Sequence, residues 1–190
     1  MHTIEPFYSW RDYYIAAEDK HSPLYGREYS EFMFTNTIYN YYIHPQWDWF
    51  GSNTLYLKIL FTDYDQGFTI IELIGEWNDC INNDIMLLKN NIINWLLRCG
   101  IYRYILIGEN ILNLHCTDDC YYEEWFEEVI EEGGWIAAVN FREHVIEEMR
   151  NNNLEQFISF GGRLNQLHWR KLKPNTFYEM MDGMIIKALY

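Results

Sequence analysis

Five residues in a stretch of six carry the side-chain types that bind metals or act as nucleophiles: His115, Cys116, Asp118, Asp119 and Cys120. Their spacing is not that of a zinc finger or ribbon, and no second Cys/His pair follows nearby. A closed site would have to recruit His144 or His168 from elsewhere in the chain. The turn therefore reads as a polar connection with one or two buried thiols, and no metal or cofactor is expected. Cys116 or Cys120 near a helix N-terminus would gain thiolate character, but the neighbouring carboxylates oppose it. Four more carboxylates, Glu72, Glu76, Asp79 and Glu109, fall at or near predicted strand ends. In open α/β sheets ligands bind outside the carboxyl ends of the parallel strands. That makes Glu109, Asn110 and His115 the ligand-binding candidates. Paired carboxylates can do acid–base work, but such positions more often serve as solvated loop residues or helix caps. The chain has no Gly-x-Ser-x-Gly, no phosphate-binding loop and no dinucleotide fingerprint. No catalytic residue is expected, and the balance leans away from an enzyme.

The elements that would position these residues follow one another with short connections. Leu55–Phe61 alternates, with Leu55, Leu57, Ile59 and Phe61 on one face. A turn at Asp63–Gly67 leads into an apolar strand from Phe68 to Gly75, which predicts an antiparallel hairpin. A helix is expected over about Asn82–Cys99, with Ile81, Ile85, Leu88, Ile92, Leu96 and Cys99 on one stripe and Gly100 at its left-handed end. A strand at Tyr102–Gly108 and an acidic helix from about Asp118 to Glu132 come next. The strand Trp135–Val139, a short helix from Phe141 to about Asn151 and a strand at Gln156–Phe160 complete the alternation. In that short helix Asn140 and Glu143 resemble a capping box. A last helix is signalled by Pro174 and by Thr176-x-x-Glu179, a second capping box. Such alternation predicts an α/β fold, with α+β as the variant: a mixed sheet of five to seven strands with helices packed on it.

The first 60 residues differ, holding 16 of the 35 aromatic residues. Tyr8–Ala17 reads as a short helix or an irregular segment. Glu28–Thr35 and Thr37–His44 read as aromatic-rich strands with a turn at Asn36. Trp47-Asp48-Trp49 with Tyr42, joined by Trp10, is the candidate interaction surface, because Tyr and Trp beside Asp, Asn and Gln build sugar platforms and protein interfaces. The alternative is that these rings roof an open face of the sheet. The expected organisation is one domain, 1–190, made of an aromatic-rich extension (1–54), an α/β core (55–160) and a basic segment ending in a helix (161–190).

The core, roughly Leu55 to Phe160, resembles the STAS domain of bacterial anti-sigma-factor antagonists. In that family a strand ends in Gly before a Leu-Asp-like step into the first helix; here the stretch is Leu73-Ile74-Gly75-Glu76-Trp77-Asn78. The family's Asp-Ser-Ser-Gly turn opens the second helix; here the stretch is Leu114-His115-Cys116-Thr117-Asp118. His115 stands for the Asp, Cys116 and Thr117 for the Ser pair, and Asp118 for the Gly. The resemblance implies a regulatory domain with a basic or helical protein partner, and a phospho-switch at Thr117. A helix N-terminus favours a phosphate there, whereas Asp118 and Asp119 repel it. The other reading is that Thr117 caps the acidic helix. The chain also resembles bacterial proteins of this length for which the likeness implies no activity.

Charge narrows the partners. The net charge is −14, with nine acidic and no basic residues from Glu109 to Glu132. The last 30 residues hold five Lys/Arg against two Asp/Glu, so they carry +3 and the rest −17. A phosphate backbone would be repelled, which argues against nucleic acid. The basic segment is expected to fold onto the acidic helix, with an acidic partner as the alternative. No apolar run approaches membrane-spanning length, and the start reads as no signal peptide. A cytoplasmic location without disulfides is the expectation. The leading function is a non-enzymatic interaction or regulatory domain. A small-molecule binder or enzyme near Glu109, Asn110 and the His115–Cys120 turn is the alternative, and a structural homodimer the third.

Overall fold

The computed structural model describes residues 4–116 and 120–189. A two-residue hairpin, β1 (Thr37–Ile38) and β2 (Tyr41–Tyr42), turns at Tyr39, whose φ is 52°. The main sheet has four strands in sequence order: β3 (Leu55–Asp63), β4 (Phe68–Asn78), β5 (Arg103–His115) and β6 (Trp135–Val139). β3 and β4 form the expected antiparallel hairpin, and β4–β5 and β5–β6 are parallel. The sheet is mixed, as its α/β alternation requires. All eleven residues of β4 are buried, because it is flanked by strands and covered on both faces.

Helices cover one face. α1 (Asp79–Asn82), α2 (Asp84–Leu88), a π-helical turn (Lys89–Ile93) and α3 (Asn94–Arg98) connect β4 to β5. α4 (Cys120–Glu131) precedes β6, and α5 (Glu143–Asn151) follows it. Ile85, Leu88, Ile92 and Leu96 join Tyr122, Trp125, Val129, Val145 and Ile146 against Leu57, Leu73, Tyr104, Leu106 and Ala138 of the sheet. The other face, with Phe68, Ile70, Ile105, Ile107 and Val139, is covered by Trp10 from the early chain and by Leu164, Trp169, Phe177, Tyr178, Met181 and Ile185 from the late chain. The last four of these belong to α6 (Pro174–Leu189). Three layers result, with the two larger apolar clusters divided by one sheet and a third, smaller one formed by Ile38, Ile43, Trp47, Tyr56 and Ile74.

Several local expectations are corrected. Glu28–Thr35 is not a strand, and the hairpin turn lies at Tyr39-Asn40 rather than Asn36. Tyr8–Ala17 is a series of turns. The first helix runs without a break from Asp84 to Arg98, close to the expected span, but Asn83 at φ 52° separates it from a short turn at Asp79–Asn82, and Ile81 is 82% exposed instead of joining the apolar stripe. Gln156–Phe160 reaches the sheet only through a bridge of Ser159 to Ala137, because Leu154–Gln156 coils as a 3-10 turn first. α6 starts at Pro174, where a missing N–H costs nothing, so Thr176 lies inside it rather than capping it. The sheet therefore has four strands instead of five to seven. The basic segment lies on the face opposite α4, so the acidic helix is not its seat; buried Lys89 meets Glu124 and Glu128 of α4 instead.

Candidate functional site

A carboxylate cluster lies beside the end of β6, with Glu72 in the middle of β4 and Glu109 in the middle of β5 rather than at the strand ends the sequence suggested. β6 pairs with β5 as far as Val139 opposite Ile107, and β5 runs on beyond it. Just there β5 carries a bulge: Glu72 pairs with Ile107 but Ile74 with Asn110, so Gly108 and Glu109 together face Leu73. A bulge redirects side chains, and here it accompanies Glu109 at the end of β6. Asn140, in a left-handed turn at φ 55°, donates from Nδ2 to Glu109 Oε1 at 2.9 Å and to the Leu167 carbonyl at 2.8 Å. That use of its side chain is why Asn140 does not cap α5, which begins after Arg142 with no side-chain cap bond. Trp169 Nε1 donates to the same Glu109 oxygen at 2.8 Å, and the Arg170 guanidinium donates to Glu109 Oε2. Arg170 also reaches Glu72 Oε1 at 3.5 Å, and the Phe7 N–H donates to Glu72 Oε2 at 2.8 Å. The guanidinium lies 4.6 Å from the Trp169 ring centroid.

The two carboxylates titrate in opposite directions although they share Arg170. Glu72 is 1% exposed, and burial pushes its carboxyl up to about 7, against the pull of the Phe7 N–H and Arg170. Burial would raise Glu109 too, but hydrogen bonds from Asn140, Trp169 and Arg170 bring it below the ordinary carboxylate range. Deeper burial of Glu72 and the larger set of donors on Glu109, Asn140 and Trp169 ahead of Arg170, set the two apart. An open recess of about 390 Å³ adjoins Glu109, Asn140, Trp169 and Arg170. Asn110 is the next residue on β5 and takes no part in these bonds. None of Glu72, Glu76 and Asp79 is the solvated loop residue the sequence suggested; all three are buried.

A second cluster surrounds the end of β4. Gly75, at φ 117°, leaves no room for a side chain: a Cβ would lie 2.1 Å from the Thr54 carbonyl. The same carbonyl accepts the Glu76 N–H at 2.8 Å and fixes that residue. Glu76 takes Tyr39 OH on one oxygen and His115 Nε2, at 3.2 Å, on the other. Asp79 accepts from Trp77 Nε1 at 3.0 Å, the Ile85 N–H at 2.8 Å and Tyr122 OH at 2.7 Å, and burial pushes it up to about 6. His115 is thus separate from the Glu109 network. Burial pushes the Cys116 thiol up to about 12, which overturns the activated-thiol idea for that residue. Cys80 donates weakly to the His115 and Cys116 carbonyls, each at 3.5 Å. Thr117, Asp118 and Asp119 lie outside the described residues, and so does the phospho-switch reading at Thr117. Among the described residues no group of three metal-ligating side chains converges.

The aromatic segment divides into core and surface. Trp10 is 3% and Trp47 2% exposed, so neither presents its ring to solvent. Trp10 Nε1 donates to the Leu172 carbonyl at 3.0 Å and Trp47 Nε1 to the Ile4 carbonyl at 2.8 Å. Burial with a partner for the indole N–H is the usual arrangement for a core Trp. Trp49 and Tyr42 are exposed, and with them Phe32, Met33, Phe34, Tyr39 and Tyr41. Tyr39 and Tyr41 belong to the segment the sequence offers as a surface, whereas Phe32, Met33 and Phe34 escaped the sequence reading, which placed them in a strand at Glu28–Thr35. The segment is moored at Asp48, 1% exposed, which accepts from Arg27 at 3.3 Å, Tyr29 OH at 2.7 Å and Lys58 Nζ at 3.1 Å.

No protein-family model and no curated protein matches the chain. Among solved structures it is similar to a crystal structure of a candidate anti-sigma-factor antagonist from Thermotoga maritima, with 16% identity and a TM-score of 0.40, covering 54% of this chain and 81% of that one. It is also similar to an NMR structure of that protein, with 14% identity and a TM-score of 0.37, covering 74% and 100%. At these values neither similarity assigns a family or a role to this chain.

Proposed function

We propose that this chain is a cytoplasmic protein-interaction domain of regulatory type, and that the aromatic face at residues 32–49 takes a basic protein partner. The observation that carries this is exposure: seven of the fifteen exposed large hydrophobic side chains among the described residues fall in those eighteen positions. Contiguous exposed apolar surface costs free energy in water and marks interaction sites. Aromatic side chains and Met dominate the centres of protein interfaces. No Lys or Arg occurs from Glu28 to Leu57, and the chain carries −14 overall, so charge complementarity favours a basic partner over nucleic acid or a second copy. In this reading 55–160 is the rigid core, 1–54 supplies the working surface and 161–190 covers the back of the sheet. Among the described residues no helix is long and apolar enough to cross a membrane.

The test is capture from a host extract by immobilised chain, wild type against Phe32→Ser/Trp49→Ser. Saturable capture of a basic protein, lost in the double variant with its melting temperature kept, supports the reading. Unchanged capture removes the aromatic face from it. Trp47→Ala is no test of the surface, because the ring is buried and the substitution reads stability.

A second reading rests on the 390 Å³ recess beside Glu109, which would suit a small polar ligand. It predicts a co-purifying ligand whose retention falls in Glu109→Gln.

A further inference from the structure

We propose that residues 28–35, bent and unpaired in the chain alone, become a strand by pairing with an extended, basic segment of another protein. This rests on the docking role of the aromatic face and specifies how the docking occurs.

The sequence Glu-Tyr-Ser-Glu-Phe-Met-Phe-Thr is rich in strand-favouring residues. The chain leaves it unpaired: no residue from 28 to 35 takes part in a backbone–backbone hydrogen bond among the described residues. Among the described residues only the Phe32 and Met33 N–H groups find partners, both at Ser30 Oγ, at 3.1 and 2.9 Å, a local turn that bends the chain at Glu31–Phe32 and that strand pairing would open. Each end is nonetheless held. Tyr29 OH is tied to Asp48, and the Asn36 carbonyl accepts the Ile43 N–H at 2.8 Å, extending the β1–β2 hairpin by one step. A segment fixed at both ends with free carbonyls between them is a template for a strand. Phe32, Met33 and Phe34 are 86%, 67% and 38% exposed, so their apolar surface has no seat in this chain. In strand addition the main chain supplies affinity and alternate side chains supply selectivity; Phe32 and Phe34 would fall on one side and Met33 on the other.

Charge selects the occupant. Glu28 and Glu31 are exposed on the segment. A second copy pairing here would bring those carboxylates together and join two chains of −14 each, and like charges across a strand pair are unfavourable. Lys or Arg on the incoming strand reverses the sign.

The experiment uses the whole chain and three end-blocked octapeptides: alternating Lys-Val, alternating Lys-Pro and alternating Glu-Val. The Lys-Pro peptide has the same charge but half its amide donors are missing. Binding is followed by fluorescence and pairing by amide exchange across 28–36. The expected result is saturable Lys-Val binding that slows exchange at 31–35 about tenfold or more, with neither effect from the other two. Equal binding of Lys-Val and Lys-Pro without protection overturns strand addition while leaving a charge-steered docking face. No binding of Lys-Val overturns strand addition outright. Concentration-dependent protection of 31–35 in the chain alone overturns the basic partner in favour of a second copy. Host-extract capture with Phe32→Ser/Trp49→Ser separately reads the docking face itself.

Discussion

Replacing Glu72 by Gln should stabilise the protein at neutral and alkaline pH and do little in mild acid. The carboxyl sits on the central strand at 1% exposure, and burial lifts it from the ordinary 4.5 to about 7. The fold therefore prefers its protonated form. Below pH 4.5 both folded and unfolded chains are protonated at this position and it contributes no penalty. Between pH 4.5 and 7 the unfolded chain ionises first, so stability falls as pH rises; above 7 the penalty is constant. The gap from 4.5 to about 7, at about 1.4 kcal/mol per pH unit, comes to about 3 kcal/mol. Gln keeps the shape and retains an acceptor for the Phe7 N–H, and Arg170, 46% exposed, keeps Glu109. Urea unfolding followed by tryptophan fluorescence at pH 5 and pH 8 measures both sides. The variant should exceed wild type by about 3 kcal/mol at pH 8 and by under about 1 kcal/mol at pH 5. A variant weaker than wild type at pH 8, or a difference independent of pH, would refute the reasoning and mean that the Arg170 contact outweighs the burial of the carboxyl.

Tyr122→Phe should cost about 1–3 kcal/mol in denaturant unfolding, since it leaves buried Asp79 Oδ2 without its donor. Lys89 is fully buried while its partners Glu124 and Glu128 are about half exposed, so the pair should be asymmetric to mutation. Lys89→Met should change stability by under about 1 kcal/mol, whereas Glu124→Gln/Glu128→Gln leaves a buried ammonium without a counter-charge, held only by neutral acceptors such as Asn94 Oδ1 at 2.6 Å, and should cost about 3 kcal/mol by the same assay. Iodoacetamide at pH 8 should label exposed Cys80 well before Cys116, whose thiol is pushed up to about 12; peptide mapping reads the order, and equal rates would contradict the burial of Cys116.

What the sequence made legible was local. Trp135–Val139 reads as a strand because five apolar residues stand between a Gly pair and Asn140, and Tyr122, Trp125 and Val129 keep a helical period against a wall of Glu. Gly100 ends its helix at φ 83°, as its position implies. What stayed hidden depended on distant partners. Glu72 reads as solvated because nothing near it in sequence announces Arg170, 98 positions later. Trp10 and Trp47 read as surface because their indole partners, the Leu172 and Ile4 carbonyls, are also remote, 162 and 43 positions away. Glu28–Thr35 fails for a different reason: its propensity is that of a strand, but the chain offers no neighbouring strand to complete it. The Glu109 site was half legible: the carboxylate stands out in the sequence, but β5 runs six residues past it instead of ending at Gly108, and Asn140, Trp169 and Arg170 come from separate segments.

The second face of the sheet has a consequence for synthesis. Phe7 and Arg170 meet on Glu72, and Trp10 donates to Leu172 across 162 positions. Contacts of such separation form late, because their loop-closure entropy must be met first. A growing chain can complete β3–β6 and the helices on the first face while residues 164–185 are still unmade. Until Trp169, Phe177 and Met181 emerge, Phe68, Ile70, Ile105 and Ile107 face water on a formed sheet. At about 5–20 residues per second that interval lasts a few seconds, and during it this apolar face, sealed in the finished molecule, is open to chaperones and to other nascent chains.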